Sequence, residues 1–563
     1  MKKQFYLICM LFACFSTAFG NNTNPCSEET LCEKENKISI ETMMDPNCTT
    51  IGCFTSIVPT AQTDHMIIPQ GHRFQLLFKQ GEPYTDGSGN VPGNHDFTAY
   101  VPINGSSELG YLSVNHENTP GGVSILDVHL DTNTLLWSVD ASEPVDLYNT
   151  ALVTTTRNCS GGISPWATVI TAEESTSAGD VNGDGYQDVG WLVEIDPATA
   201  QVMDYGNGQE KLWAMGRMNH ENVVISADST TAYYGEDGGT DCVYKYVMDT
   251  PGDLSSGTVY ALKLDDPLTN GDPTTNTATW IQVPNDTPAE RNNISTAAGA
   301  LGGTNFNGVE DCEINSIDGK IYFTAKGTGR TYRFTDNGNN VTAFETFVGG
   351  MDYTIATTQG DYSIPWGGGN DNLTFDGVGN LWVLQDGDNN YIWVVRPDHT
   401  QSNPHVDLFA SVPAGSEPTG LTFTPDFKYG FFSIQHPSST TAPQQDATGN
   451  MVTIDQSATV VFSLEGNLAT HAPTEMTKTV RLYPNPTRGQ VSVHINDAAG
   501  KEVTVDVFDL LGRKVTSIKG NETTGNPQEI SIDLAKFIKG EQLLIVQVTV
   551  GNQVGRYKIL KSN

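Results

Sequence analysis

The chain has 563 residues, more than one ordinary core organises, so two or more domains are expected. With 30 Lys and Arg against 66 Asp and Glu, its formal net charge is −36. That charge argues against nucleic acid or anionic lipid as partners and suits Ca²⁺, a hard cation that takes carboxylate oxygens, although acidity also serves the solubility of an exported protein.

In chain order, Lys2 and Lys3 precede an apolar run from Phe5 to about Phe19, and Ala18-Phe19-Gly20 offers a small-residue cleavage site. Residues 1–20 therefore read as a secretory signal, too short for a stop-transfer helix. No later segment is apolar enough to cross a membrane. Nine cysteines are present. Two lie in the signal, and Cys26, Cys32, Cys48 and Cys53 crowd the segment 21–60, where export favours disulfides. Of the remaining three, Cys242 is expected to pair with Cys312, leaving Cys159 as a free thiol.

Residues 61–470 read as all-β, rich in Gly, Asp, Asn and Thr between short aromatic or branched runs, with no long helical period. A weak repeat begins at Val223, Cys312, Asn372 and Leu421: a strand, a turn with Asp or Gly, and a second apolar strand ending on Glu236, Lys326, Asp386 or His436. Units that cannot bury their faces alone stack radially, so a β-propeller is expected, six-bladed with insertions, its strand ends converging on one site. A β-sandwich of similar hairpins is the alternative. After a linker at 471–481, residues 482–563 alternate apolar and polar positions as a small C-terminal β-sandwich would. This tail resembles the type IX secretion sorting domain of Bacteroidetes at Tyr483-Pro484-Asn485-Pro486, Gly489, Asp509, Gly512-Arg513 and Gly540. The resemblance implies handling by the type IX secretion machinery, passage through the outer membrane and later removal of the tail.

Several motifs carry chemistry. His116-Glu117 and His220-Glu221 both lie in the tetrapeptide Asn-His-Glu-Asn. Adjacent side chains of an extended strand point to opposite faces, so one member of each pair is expected to face a shared site. Asp180, Asn182, Asp184 and Asp188 fall at positions 1, 3, 5 and 9 of a calcium-type loop with Gly185 at position 6, although Trp191 replaces the closing Glu. A structural calcium loop and an Asx-rich turn are both consistent with that spacing. Further carboxylates at strand ends, among them Glu173-Glu174, Glu236-Asp237, Glu310-Asp311, Asp371, Asp376, Asp386 and Glu417, would repel one another on one propeller face unless cations neutralise them.

The stretches SVNHENT, NCSGGISPWATVITAEE, GRMNHENVVIS, YYGEDGGTDCVYKYV, VEDCEINSIDGKIYFTAKG, NDNLTFDGVGNLWVLQDGD and EPTGLTFTPDFKYGFFSIQHP, in this order, resemble the PhoX-type alkaline phosphatases over about residues 100–465. The resemblance implies a β-propeller that hydrolyses phosphate monoesters of small phosphorylated substrates with an iron–calcium cluster, through a metal-bound oxo or hydroxide. It implies Cys159 as an Fe³⁺ ligand and Glu173, Glu174, Glu236, Asp237, Glu310 and Asp371 as ligands for iron and Ca²⁺. Cys159, Glu310 and Lys326 are the expected catalytic set, with His116, Glu117, His220, Glu221 and His436 in support. The family usually has Arg-Pro-Glu where this chain has Gly308-Val309-Glu310. The lost guanidinium would clamp phosphate oxygens, and Lys245, Lys326 and Arg330 are candidates to replace its charge. Two other readings follow: a calcium-stabilised propeller for binding or adhesion that has lost catalysis, and a hydrolase of another ester class on the same scaffold.

Overall fold

A computed structural model describes residues 49–177, 179–387, 389–468, 474–475, 480–496, 503–509, 514–520, 528–550 and 553–562. The signal sequence and Cys26, Cys32 and Cys48 lie outside these residues, while Cys53 is disulfide-bonded. Cys242 and Cys312 are both free and buried, which corrects the expected bridge between them. The Cys242 thiol instead donates to the Thr304 carbonyl oxygen at 3.2 Å, and Cys312 packs among Phe306, Phe323 and Tyr332 as a small apolar side chain.

The regular structure of the described chain is nearly all β, and six four-strand units form a ring. Blade 1 consists of His95–Pro102, Leu109–His116, Gly122–Asp131 and Leu136–Pro144. Blade 2 consists of Asn158–Ile163, Val169–Glu173, Leu192–Asp196 and Gln201–Val202. Blade 3 consists of His220–Ile225, Thr231–Glu236, Val243–Met248 and Gly257–Leu264, with Ala278–Val283 as an added outer strand. Blade 4 consists of Val309–Ile314, Ile321–Ala325, Arg330–Asp336 and Asn340–Gly349. Blade 5 consists of Asn370–Phe375, Leu381–Gln385, Tyr391–Val395 and Val406–Ser411. Blade 6 takes Glu417–Phe423, Tyr429–Gln435 and Ala458–Leu464 from late in the chain and His72–Lys79 from its start. The first strand of each blade touches the first strand of the next, and blade 6 touches blade 1, so these six strands surround a central channel.

The sequence makes such blades because their middle strands are apolar on both faces. Leu381–Gln385 and Tyr391–Val395 are buried throughout, as strands covered by neighbouring sheets must be. Trp382, Phe409 and Phe462 interlock between blades 5 and 6 with ring centroids 4.9 and 5.0 Å apart. In the tail, Val491, Val493 and Ile495 of a three-stranded sheet pack on Val505, Val546 and Val548 of a five-stranded one, which gives the small sandwich its core.

Blade 6 also carries a pH-sensitive group. His72 Nε2 donates to the Ile51 carbonyl oxygen at 3.1 Å, and its buried Nδ1 has no partner. Burial lowers its pKa from 6.5 to about 4. The unfolded chain takes up this proton near pH 6.5 while the folded chain resists, so stability is lost as the pH falls from 6.5 towards 4, by about 3 kcal/mol. Between pH 7 and 4, wild type is expected to lose about that much more unfolding free energy than His72→Gln, measured by urea denaturation. An equal loss in both would show that His72 does not set the acid limb.

Candidate metal centre

Each blade has a one-residue register shift just inside the start of its first strand: after His95, Asn158, His220, Val309 and Asn370 in blades 1–5, and after Thr419 in blade 6. A bulge re-aims the side chains beside it. Here two residues per blade turn to the channel mouth: the one after the first paired residue, and the one just past the end of the second strand. They are Asp96 with Glu117, Cys159 with Glu174, Glu221 with Asp237, Glu310 with Lys326, and Asp371 with Asp386 in blades 1–5, while blade 6 brings Glu417, Thr419, Gln435 and His436.

These residues, without Asp237 and with Asn94 and Arg157, line a cavity of about 190 Å³. Cys159 Sγ, Glu174 and Glu221 place ligand atoms within 4.8 Å of one another. Glu221 is shared with a second such group, Asp237 and Glu310, and Asp371, Asp386 and Glu417 make a third. Arg157 binds Glu117 at 2.6 Å and also Glu174. Lys326 Nζ lies 3.0 Å from Asp371, 2.9 Å from Asp386 and 3.6 Å from Glu310. His436 Nε2 donates to Glu417 at 2.9 Å, and that bond raises the imidazole pKa to about 9.

The electrostatics are lopsided. Eight carboxylates and a thiol line the cavity against three cationic side chains. Burial first, then neighbouring carboxylates, push Asp96 and Glu221 well above the ordinary range. Burial raises Glu174 and Glu417 to about 8, and the Cys159 thiol is driven upward by burial and by Glu221. Glu310 Oε1 is buried with no hydrogen-bond partner. Buried carboxylates that repel one another, one with an orphan oxygen, fit divalent or trivalent cations, and the mixed set of one soft sulfur and several hard oxygens fits both iron and calcium.

The structure separates the expected residues. Cys159, Glu174, Asp237, Glu310 and Asp371 share the groups above. Glu173 and Glu236 face away. Glu173 holds buried Lys211 at 2.5 Å, and Glu236 accepts the Tyr244 hydroxyl at 2.7 Å. In both Asn-His-Glu-Asn copies the Glu faces the cavity, whereas the His packs behind it. His116 bonds Ser124 Oγ at 2.6 Å, and His220 bonds the Gly216 carbonyl oxygen at 2.8 Å. Of the candidates to replace the missing arginine, Lys245 is paired with Asp336 and Arg330 with Asp272, while Lys326 lines the cavity. In the loop at 180–188, Asp180 accepts the backbone N–H groups of Gly183, Asp184 and Gly185, and Asp188 accepts that of Val181.

Sequence reasoning missed Asp96 and Arg157. Asp96 ends Asn94-His95-Asp96, a third copy of the Asn-His-acid pattern, and Arg157 sits two residues before Cys159.

The family model "Alkaline phosphatase PhoX" matches residues 53–136 and 143–438. The chain belongs to the PhoX alkaline phosphatase family. Membership carries a metal-dependent phosphatase-type function, and the channel-mouth carboxylates lie within the matched residues. The model "Secretion system C-terminal sorting domain" matches residues 481–561, which assigns the chain to type IX secretion, to the cell surface or beyond. No curated protein matches the chain. Among solved structures it is similar to Pseudomonas fluorescens PhoX in complex with vanadate, a transition state analogue, at 20% identity and a TM-score of 0.57 over 74% of this chain and 98% of that one. It also matches the periplasmic gluconolactonase PpgL of Pseudomonas aeruginosa at 11% identity and a TM-score of 0.33, over 82% of this chain and 99% of that one. Among the described residues no helix is long and apolar enough to cross a membrane.

Proposed function

We propose that this PhoX family member is an exported phosphomonoesterase that carries iron at Cys159, Glu174 and Glu221 and calcium at neighbouring carboxylates. The observation that carries this reading is the uncompensated negative charge of the cavity, which would repel a phosphate dianion in the absence of bound cations. Bound iron and calcium would supply Lewis-acid polarisation of the phosphoryl group. The chain's own side chains set the frame. Arg157 pins Glu117 and Glu174, Lys326 pins Asp371 and Asp386, and Gln435 Nε2 donates to Glu117 at 3.0 Å. At about 190 Å³ the cavity admits a phosphate head and leaves the ester group outside. The signal at 1–20, the propeller at 61–470 and the removable tail at 482–563 complete the proposed path of export.

Metal analysis alongside p-nitrophenyl phosphate hydrolysis tests the reading on wild type, chelated protein and Cys159→Ala. Wild type is expected to contain iron and calcium, and Cys159→Ala to lose iron and at least about 10²-fold in turnover together. Full turnover by iron-free protein would reject it. One observation favours a calcium-stabilised binding propeller instead. Gly308 stands where the family has arginine, its φ of +86° strains any side chain there and an added Cβ would have to displace the Asp237 carboxylate 2.7 Å away, and no guanidinium in the cavity is free of carboxylates. Calcium without iron and without turnover would decide for that alternative, because a binding module has no need of iron, whereas iron without turnover would point to a changed substrate.

A further inference from the structure

The three groups of potential ligands are not equally short of positive charge. Around the two that share Glu221, Arg157 reaches only Glu174, and Lys326 stands off from Glu310 at 3.6 Å, beyond hydrogen-bond distance. The orphan Oε1 of Glu310 belongs there. The third group is different. Asp371 and Asp386 each hold the Lys326 ammonium within 3.0 Å, and His436 Nε2 lies 2.9 Å from Glu417.

The lysine is also held in place by its backbone. Its N–H donates to the Gly308 carbonyl oxygen at 3.0 Å, and its own carbonyl oxygen accepts from Gly329 and Gly369 at 3.2 Å each. Residues Lys326–Thr328 form one 3₁₀ turn closed by Gly329 in the left-handed region. In blades 1, 2, 3 and 5 the position just past the second strand is Glu117, Glu174, Asp237 or Asp386, an acid each time. Blade 4 alone of these five puts a base there, and aims it across the gap to blade 5.

We propose that the Lys326 ammonium is the resident cation of the sector between blades 4 and 5, standing where the carboxylates would otherwise need a divalent ion, and that it confines metal to the two groups sharing Glu221. An ammonium already bridging Asp371 and Asp386 repels a divalent ion brought to the same oxygens, and it uses the lone pairs that ion would need. The inference rests on the metal-dependent reading above and sets how many ions that centre holds.

The test counts calcium per chain by equilibrium dialysis with ⁴⁵Ca²⁺ on the full-length secreted protein, comparing wild type with Lys326→Met and Lys326→Arg. Lys326→Met, similar in length and uncharged, is expected to bind one calcium more than wild type, and Lys326→Arg the wild-type number. The melting temperature of Lys326→Met is expected to rise with calcium over a range in which wild type no longer responds. If Lys326→Met folds poorly, recovery of its melt with calcium supports the proposal, and failure to recover at saturating calcium overturns it. An unchanged count in folded Lys326→Met also overturns it. A wild type that binds no metal rejects the metal-dependent reading, and the lysine's role is then decided by whether Lys326→Met alone takes up calcium.

Discussion

Glu173→Gln is expected to destabilise the fold by about 3–5 kcal/mol, because it strips a buried ammonium of its partner. Glu173 and Lys211 pair at 2.5 Å with side chains 0% and 1% exposed. The second carboxylate oxygen accepts the N–H groups of Gly190 and Trp191 at 2.9 and 3.1 Å, and Thr155 donates to the first at 2.8 Å. A glutamine can accept through only one oxygen, and its amide N–H₂ would face donors. Lys211 keeps the Thr154 and Asp188 carbonyl oxygens but no counter-charge. Chemical denaturation reads the loss, and metal analysis of the surviving folded protein is expected to give the wild-type content. Metal lost with stability kept would return Glu173 to the ligand set.

Glu221→Gln is expected to have the opposite profile: turnover of p-nitrophenyl phosphate down by about 10²-fold or more, with metal lost from both groups that Glu221 joins. The change preserves volume and removes a carboxylate that burial and Glu310 push well above its usual pKa. In chelated protein it therefore relieves repulsion, and the variant is expected to unfold at higher denaturant than wild type. With metals restored the order reverses, because a neutral amide is the poorer ligand. A variant less stable than wild type in chelator would mean that the Glu221 carboxylate is held by protein contacts rather than by cations.

Much of this was legible in the sequence. Periodic strand–turn–strand units pointed to a propeller, and the single ring of six contacts between first strands bears out that fold class. The doublets His116-Glu117, Glu173-Glu174, His220-Glu221 and Glu236-Asp237 marked the strand ends. Which member of a doublet faces the channel was not legible. Strand alternation allows either, and the choice depends on the bulge at the start of each first strand, which adds one residue and leaves Glu117, Glu174, Glu221 and Asp237 at the channel mouth. That is why Glu173 and Glu236 were expected among the ligands. Both are acidic and adjacent to the residues that do face inward. The Cys242–Cys312 bridge was inferred from an odd number of thiols, yet the two sit in different apolar clusters, where a small thiol packs without a disulfide partner. Lys326 stood out by its place in the repeat, but its three carboxylate contacts come from residues 16, 45 and 60 positions away in sequence, a proximity that hairpin pairing in blade 4 and the packing of blade 5 against it supply.

The clasp of the ring has a bearing on timing. His72–Lys79 is zipped to Ala458–Leu464, so the circle cannot shut until Leu464 has emerged. None of the three ligand groups draws on His72–Lys79, so each is set by blades adjacent in sequence rather than by the clasp. Because the clasp lies upstream of Tyr483, loss of the sorting tail would leave the buckle fastened.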